Sequence, residues 1–419
     1  MLAPTNGSNA SGKRNTVTDH DGRSSRPKRA RAIKVVHLIA CCMTDHGPSS
    51  GIVAQVKAQT PGSIDTEVWS MYAPPHDRDP TAMLAEVGAR HVSLGGSRHF
   101  IDPWTLMLLI NRLRQTTPDI VHGHLVRANL YAAATAPFAG RPAVICTMRG
   151  IEQYLQGSDV TSRVVRAVER RLNGNVSRYV AVSNAVRSAV VRLLGVSEEQ
   201  TVTILNAVDL EPFTRVPDRA VMRASIGIDL DATVIATVGV LEAHKNLDAF
   251  LHAIAAIRHL RDGHKVVGVI VGEGSQRARL EQLTGSLGLA SSVRFLGMRS
   301  DVTQLLPSFD IFALPSFGEG LSRAIMEAMA SGLPCVVYDV GGNREAVTNG
   351  QEGFVHSLLE PEAFAASICQ LVEDEALRQR MGTAAKTAAF ERFSPTRLAR
   401  EYQALYDEVL CEPRPSAHA

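Results

Sequence analysis

The sequence predicts an α/β protein built from two doubly wound, parallel-sheet domains that face each other across a cleft. The chain has 419 residues, which is too long for one ordinary hydrophobic core and suits two domains. Hydrophobic residues make up 45% of it and charged residues 21%, so there is enough apolar material for two cores. Short β-branched runs alternate with longer amphipathic stretches, as in βαβ units, and this alternation stops and restarts near the middle of the chain.

The first unit, residues 34–210, is predicted to be a Rossmann-like domain of seven strands. Several of these strands are apolar throughout, as expected where helices cover both faces of a parallel sheet. The predicted strands are Val35–Ala40, Thr66–Met71, His91–Leu94, Ile120–His122, Val144–Cys146, Tyr179–Val182 and Val202–Leu205.

A linker at residues 211–228 is predicted to lead into a second Rossmann-like unit, residues 229–394. The carboxyl ends of the strands in two such units should meet at a ligand-binding cleft. Residues 395–419 are expected to form a helix and tail that pack back on the N-terminal domain. The predicted strands of the second unit are Val234–Val238, Val266–Val271, Val293–Leu296, Ile311–Leu314 and Cys335–Val337.

Residues 1–33 carry seven Lys/Arg and two Asp and almost no large apolar side chains, so we expect a disordered basic tail. Its charge would also suit an anionic membrane or a nucleic acid, but nothing later in the chain supports nucleic-acid binding. No apolar leader segment and no run of about 18 apolar residues is present, which predicts a cytoplasmic or peripheral protein. The six cysteines lack CxxC spacing and are expected to be buried, reduced thiols.

Residues 310–353 form the most informative stretch, which reads as strand, glycine loop, helix, strand and second glycine loop. The loop Phe317–Gly320 would bring backbone amides to the positive end of the following helix, a suitable cradle for a diphosphate. Glu319 and Glu327 could accept hydrogen bonds from sugar and ribose hydroxyls. Alternatively, Glu319 could complement the helix dipole and Glu327 could pair with Arg323. The predicted donor-binding residues here are Gly318, Gly320, Leu321, Ser322 and Glu327.

This stretch resembles the Glu-x7-Glu signature of the retaining glycosyltransferase family 4, and the similarity continues through residues 341–345 and 350–353. It covers nearly the whole chain from Lys34 to about Leu410, thinning between Asp65 and Trp104. The resemblance implies a GT-B fold with an N-terminal acceptor domain and a C-terminal nucleotide-sugar donor domain. It also implies hexosyl transfer, with UDP-sugar as the expected donor and a hydroxyl of a glycan or lipid-linked molecule as acceptor, in cell-surface polysaccharide or glycolipid synthesis.

Further residues follow from this resemblance in the donor domain. Lys245 matches a lysine that grips the donor diphosphate, and we expect it to be catalytic together with Glu319. Val240 stands where the family usually has Arg, so stabilisation of the leaving group would depend more heavily on Lys245 and the helix N-terminus. Gly272 and Gly274 resemble a turn on the donor side of the cleft, although a Gly-x-Gly after a strand is often a simple turn.

In the acceptor domain, His124 of the segment Pro118–His124 resembles a histidine that contacts the transferred sugar, and we expect it to leave the sheet, enter the cleft and be catalytic. A buried structural histidine is the alternative, and a metal site is disfavoured because we expect no third ligand nearby. Gly51, in a predicted loop 47–51, should approach donor or acceptor. Arg149 could reach an acidic acceptor group or a phosphate, or be a surface arginine. Ser183 matches a family motif and also suits a helix N-cap.

We expect no cofactor and no metal, because no Asp-x-Asp pattern sits at the carboxyl end of a predicted strand; Asp19–Asp21 lies in the tail. The implied reaction is a front-face displacement without a covalent nucleophile. A helix between Ser162 and Leu172 carries four arginines and could contact an anionic membrane or simply face solvent. A nucleotide-sugar epimerase of similar fold and a non-catalytic sugar-nucleotide binding protein are the alternatives; Val240 is the one hint of the latter. The arginines are Arg163, Arg166, Arg170 and Arg171.

Overall fold

The structure is a computed structural model and describes residues 31–44, 47–150, 157, 159–215, 217–260 and 265–412. The described strands are β1 Ile33–Ile39, β2 Ile64–Ser70, β3 Arg90–Ser93, β4 Ile120–His124, β5 Ala143–Met148, β6 Arg178–Ala181, β7 Thr201–Thr203, β8 Thr233–Val238, β9 Val266–Val271, β10 Val293–Gly297, β11 Ile311–Leu314, β12 Cys335–Tyr338 and β13 Gly353–His356. The described helices are α1 Gly47–Lys57, α2 Thr81–Glu86, α3 Pro103–Thr116, α4 Leu125–Thr135, α5 Val160–Leu172, α6 Asn184–Leu194, α7 Arg219–Ser225, α8 Leu247–Leu260, α9 Arg277–Ser286, α10 Val302–Leu305, α11 Arg323–Ala330, α12 Asn343–Ala346, α13 Pro361–Glu373, α14 Glu375–Arg392 and α15 Pro395–Cys411.

The strands form two parallel sheets, which confirms the predicted fold class. The first sheet has the order β3-β2-β1-β4-β5-β6-β7 and the second the order β10-β9-β8-β11-β12-β13. In each sheet the strands first extend from the central strand to one side and then continue on its other side. This reversal lies between β1 and β4 in the first sheet and between β8 and β11 in the second. Ligands of doubly wound sheets bind outside the carboxyl ends of the strands at such reversals.

Strand β13 is the one element of the two sheets that the sequence did not predict. It has only four residues and pairs in parallel with β12. It begins at Gly353, where a Cβ atom would lie 1.9 Å from the carbonyl oxygen of Cys335, so only glycine allows this approach. A short strand that begins with glycine lacks the β-branched run on which the other predictions depend.

The predicted boundaries at residues 33 and 228 were wrong in detail. Arg31 donates two hydrogen bonds of 2.8 and 2.7 Å to Asp119, and Ile33 already belongs to β1, so the fold includes residues 31–33. The rest of the predicted tail lies outside the described residues. The second half of the predicted linker is helix α7, whose buried Arg223 donates to Asp310 at 2.6 Å. Residues 219–225 therefore pack as part of the second domain.

Helix α15 returns from the second domain and packs on the first. Its apolar side is buried against β1, β4, β5 and β6 in a cluster that includes Val35, Ile145 and Tyr406. The Tyr406 hydroxyl accepts a 3.2 Å hydrogen bond from Gln55 of α1. The last helix therefore contributes side chains to the interior of the N-terminal domain.

A carboxylate links the two domains at the cleft. Glu345 of α12 accepts hydrogen bonds from the backbone amides of Asn184 and Ala185, at 2.8 and 3.1 Å. These amides open helix α6 of the first domain, where a negative charge is favourable. Ser183 caps the same helix, because its hydroxyl accepts a hydrogen bond from the amide of Val186. Ser183 is thus the helix N-cap, one of the two roles considered for it.

Candidate active site

Three of the predicted site residues, Gly51, Arg149 and Leu321, line a cavity of about 390 Å³ between the two domains. The N-terminal domain supplies the first turns of α1, Arg149 at the end of β5 and residues 206–209, while the second domain supplies the beginning of α11. A larger cavity of about 590 Å³ lies between α8 and α13, but no predicted site residue lines it. The interdomain cavity is therefore the candidate active site.

Glu319 and Lys245 form an ion pair at the entrance to α11. Lys245 Nζ lies 2.6 Å from Glu319 Oε1, and the Ser316 hydroxyl donates to the same oxygen at 2.7 Å. The two charged side chains are only 13% and 10% exposed. Two residues that are 74 positions apart and were predicted to bind one donor are thus in direct contact.

Helix α11 begins at Arg323, so Gly320, Leu321 and Ser322 lie just before the helix. The predicted amide cradle is therefore the turn that enters the helix, where the free N–H groups and the helix dipole favour an anion. Glu327 is buried and accepts a 2.7 Å hydrogen bond from Arg323 Nε. The i, i+4 pairing considered as an alternative role for Glu327 is thus present in this structure.

The glycines of the two loops allow their backbones to touch. A Cβ atom at Gly320 would lie 1.9 Å from the Arg149 carbonyl oxygen, and one at Gly341 would lie 1.7 Å from the Glu319 carbonyl oxygen. Gly342 donates its amide to the Gly320 carbonyl at 2.7 Å. Gly318, in contrast, has open space around its Cα atom. The loop that carries Glu319 is thus held between β5 of one domain and the second glycine pair.

Gly272 and Gly274 have a packing role. A Cβ atom at Gly272 would lie 1.9 Å from the Gly239 carbonyl oxygen, and one at Gly274 would lie 2.5 Å from the Leu241 carbonyl oxygen. The turn after β9 therefore packs on the turn after β8, which accounts for both glycines without a ligand. Val240, in that same turn, is 53% exposed and leaves the usual arginine charge missing.

His124 does not enter the cleft, contrary to the expectation. It is fully buried, as are His37 of β1 and His122 of β4. Parallel pairing of β1 with β4 places His37 opposite His122, and His37 Nδ1 lies 2.9 Å from His124 Nε2. His124 Nδ1 lies 3.3 Å from Arg149 Nη2, so His124 reaches the cavity only through Arg149.

The expectation that no third ligand lies near these histidines was also wrong. Ligand atoms of His37, His122 and His124 lie within 4.8 Å of one another. The sequence offered one signal for this cluster. His37 lies in the predicted buried strand β1, at which the strand order of a doubly wound sheet reverses. Hydrogen bonds nevertheless occupy both nitrogens of His122, which contacts the Tyr406 hydroxyl at 2.8 Å and the Thr147 hydroxyl at 2.6 Å. The positive charge of Arg149 beside the cluster further disfavours a cation.

Arg149 also fixes the tautomers of the buried histidines. A guanidinium can only donate, so Nδ1 of His124 must accept and its Nε2–H must donate to His37. Burial, together with the nearby charge of Arg149, lowers the pKa of His37 to about 3. Burial also holds the pKa values of His122 and His124 well below their usual range. The three imidazoles are neutral at physiological pH.

Gly51 lies within helix α1 and not in the predicted loop. The helix begins at Gly47, with Pro48 in its first turn, where proline is well tolerated. Gly51 lines the interdomain cavity, and a Cβ atom there would lie 3.1 Å from Arg149 Nη1. The missing side chain makes room for the guanidinium of Arg149.

Two family models match the chain, one in each domain. Residues 64–212 match the model described as Glycosyltransferase Family 4, and residues 218–388 match Glycosyl transferases group 1.

Curated relatives agree with these matches. The UDP-Gal:alpha-D-GlcNAc-diphosphoundecaprenol alpha-1,3-galactosyltransferase of Escherichia coli is 28% identical over 281 residues, which cover 66% of this chain and 72% of that protein. A D-inositol 3-phosphate glycosyltransferase of Corynebacterium diphtheriae is 31% identical over 262 residues, which cover 60% of this chain and 61% of that protein.

A solved structure shares the fold. The Anabaena protein HepE, solved in complex with UDP and glucose, superposes with a TM-score of 0.75 at 22% identity, over 90% of this chain and 100% of that chain. With a matching family model in each of its two sheet domains, this chain is a glycosyltransferase of the two-domain GT-B architecture and belongs to glycosyltransferase family 4.

Proposed function

We propose that this protein transfers a hexosyl group from a UDP-sugar to a hydroxyl of a lipid-linked or glycan acceptor, with retention of anomeric configuration. The observation that carries the proposal is the Lys245–Glu319 ion pair, whose Glu319 lies in the loop that enters α11, two residues before Leu321, which lines the interdomain cavity. The names of the Escherichia coli relative and of the HepE complex, which mention a UDP-sugar and UDP, support the choice of nucleotide. The diphosphoundecaprenol in the first name supports a lipid-linked acceptor and a role in cell-surface glycan synthesis.

Lys245 and the amides before α11 would neutralise the departing diphosphate. An ammonium and a set of fixed N–H dipoles stabilise the developing charge without reorganisation, and removing one such donor typically lowers turnover by about 10²–10³-fold. Glu319 would then exchange its hydrogen bond with Lys245 for one with a sugar hydroxyl. Because Ser316 also donates to Glu319, the carboxylate keeps one partner during this exchange.

Retention would follow from attack on the same face as the departing diphosphate. The acceptor hydroxyl would approach from the N-terminal domain, and positioning by the two domains would supply much of the catalysis. Glu319 is occupied by Lys245 and Ser316, which suits a hydrogen-bonding role better than a covalent one. We propose that no divalent ion takes part, since Lys245 and the helix amides supply the charge.

We further propose that the protein works at the cytoplasmic face of a membrane through helix α5. Val160, Val164 and Val168 form a stripe that is 66%, 52% and 45% exposed, and Arg163 and Arg171 are exposed beside it. Such a combination of apolar and basic side chains suits the surface of an anionic bilayer. No helix in the described part of the chain is long and apolar enough to span a membrane.

Calorimetric titration with UDP, GDP and ADP, with and without a chelator, tests the donor site. We expect UDP alone to bind, chelator to have no effect, and Lys245→Ala to weaken binding at least tenfold. Lys265→Ala is the matched control, because that exposed lysine of the same domain pairs with Asp229 and Asp231. Lack of UDP binding by folded protein would refute the donor assignment.

Incubation with UDP-sugars and an undecaprenyl-diphosphate-linked sugar, followed by NMR of the product, tests transfer and retention. An α-linked product from an α-linked donor is expected, whereas conversion of the donor to another free UDP-sugar would indicate an epimerase. Flotation with phosphatidylglycerol vesicles tests the membrane contact: Val164→Glu should reduce binding, and Val221→Glu, at an equally exposed site on α7, should not. Equal binding by both variants would exclude α5 as the contact.

A further inference from the structure

Arg149 is a cation without an acidic partner in a largely enclosed place. In the described part of the chain its only hydrogen bonds go to neutral groups, namely His124 Nδ1 and Asn206 Oδ1, both at 3.3 Å. Its Nε atom is buried and has no hydrogen-bond partner there. Partly burying a charge without a counterion is unfavourable, so an arginine in this position calls for an anion from elsewhere.

The other charges around the interdomain cavity are already balanced. Lys57 pairs with Asp209 at 3.3 Å, and Arg323 pairs with the buried Glu327 at 2.7 Å. Arg149 is thus the cation lining the cavity that no described carboxylate compensates. Its burial lowers its pKa, but a guanidinium stays protonated even so.

The backbone of Arg149 also meets the donor loop. Its carbonyl oxygen lies where a Cβ atom of Gly320 would be, and the same cavity is lined by Leu321 at the start of α11. Arg149 and Leu321, a residue of the amide turn to which the proposed function assigns the donor diphosphate, therefore line the same cavity. Arg149 belongs to the N-terminal domain, whereas Lys245 belongs to the second domain.

We propose that Arg149 binds a phosphoryl group in the interdomain cavity and so supplies, from the acceptor domain, a positive charge that Val240 does not provide. The inference rests on the proposed function, since it assigns this cavity to the substrates. A planar guanidinium suits phosphoryl oxygens because it donates two parallel hydrogen bonds. The phosphoryl group belongs either to the donor diphosphate or to a phosphate of the acceptor, and both sources present the same oxyanion.

Titration of the full chain with UDP, with UMP, and with inorganic phosphate in the presence of saturating UDP tests this assignment. In Arg149→Gln, loss of a charged hydrogen bond should weaken binding on the order of tenfold. Weaker UDP binding with unchanged UMP binding would identify the donor diphosphate. Unchanged UDP binding with weaker phosphate binding would identify an acceptor phosphate. Unchanged affinity for all three probes would overturn the proposal.

Gly51→Ala gives a second test that damage to the fold cannot imitate. Its new Cβ atom would lie 3.1 Å from Arg149 Nη1 and should displace the guanidinium, while alanine favours helix α1 by about 1 kcal/mol relative to glycine. We expect equal or higher thermal stability together with several-fold weaker binding of the same probe; full affinity would count against the proposal. If wild-type protein binds phosphate through Arg149 but not UDP, the donor assignment fails and the anion site stands.

Discussion

The three buried histidines should make the N-terminal domain sensitive to mild acid. At pH 7.5 they are neutral in both the folded and the unfolded chain. Below about pH 6.5, the ordinary pKa of histidine, the unfolded chain takes up protons. The folded chain does not, because burial keeps the pKa of His37 near 3 and those of His122 and His124 well below the ordinary value. Protonation therefore favours unfolding, and stability falls as the pH decreases from about 6.5 towards 3.

The size of the effect follows from proton linkage. Between pH 7.5 and 5.5, a histidine that titrates only in the unfolded state lowers the free energy of unfolding by about 1.4 kcal/mol. Three such histidines together give about 4 kcal/mol. The groups that face them are Arg149, Thr147, Tyr402 and Tyr406, and none of these is a carboxylate that would offset the loss.

Urea unfolding at the two pH values measures this loss, with Trp104→Phe as background so that the buried Trp69 reports on the first domain. Adding His37→Asn should reduce the difference between pH 7.5 and 5.5 by about 1.4 kcal/mol. His37 suits the substitution because one of its ring nitrogens already lacks a partner. His76→Asn, at an exposed position, should leave the difference unchanged. An unchanged difference in His37→Asn would refute the assignment of a neutral buried imidazole.

Three further substitutions test the cleft. Val240→Arg restores a cation to an exposed position after β8 and should tighten UDP binding several-fold in calorimetry; unchanged affinity would show that the turn does not face the diphosphate. Glu345→Gln weakens the interdomain cap of α6 and should lower the free energy of unfolding by about 1 kcal/mol. An unchanged free energy of unfolding would show that water can replace Glu345 at these amides. Gly341→Ala would place a Cβ 1.7 Å from the Glu319 carbonyl and should reduce kcat/KM about 100-fold. Gly350→Ala, also at positive φ but in open space, should leave kcat/KM unchanged. An equal loss of kcat/KM in both variants would contradict the packing argument.

Local patterns predicted most of the fold and the donor side of the site. Apolar runs and amphipathic stretches identified the alternating strands and helices, because burial on both faces of a parallel sheet leaves a strong local signal. The glycine loop before α11 was recognisable for a similar reason, since Glu319 and the following turn are close in sequence. Lys245 was found only through its resemblance to a family motif, and its contact with Glu319 depends on tertiary structure.

Pairings between distant segments account for what the sequence did not predict. The burial of His124 depends on His37, 87 residues away, and on the register of β1 against β4. The cap that Glu345 places on α6 joins residues 161 positions apart. Neither contact leaves a periodic pattern along the chain. His124, at the carboxyl end of a strand, was therefore assigned to the cleft although it faces the interior of the domain.

Under the proposed function, the ion pair of Lys245 and Glu319 would couple recognition of the donor diphosphate to recognition of its sugar. Each side chain is largely buried, and an unpaired buried charge would be costly, so the two neutralise each other while the donor is absent. A nucleotide diphosphate alone would give Lys245 a new partner and leave Glu319 with Ser316 only. A complete nucleotide sugar would offer a phosphate to the lysine and a hydroxyl to the carboxylate. The pair thereby favours the ligand that replaces both halves of the interaction, which links recognition of the sugar to recognition of the diphosphate.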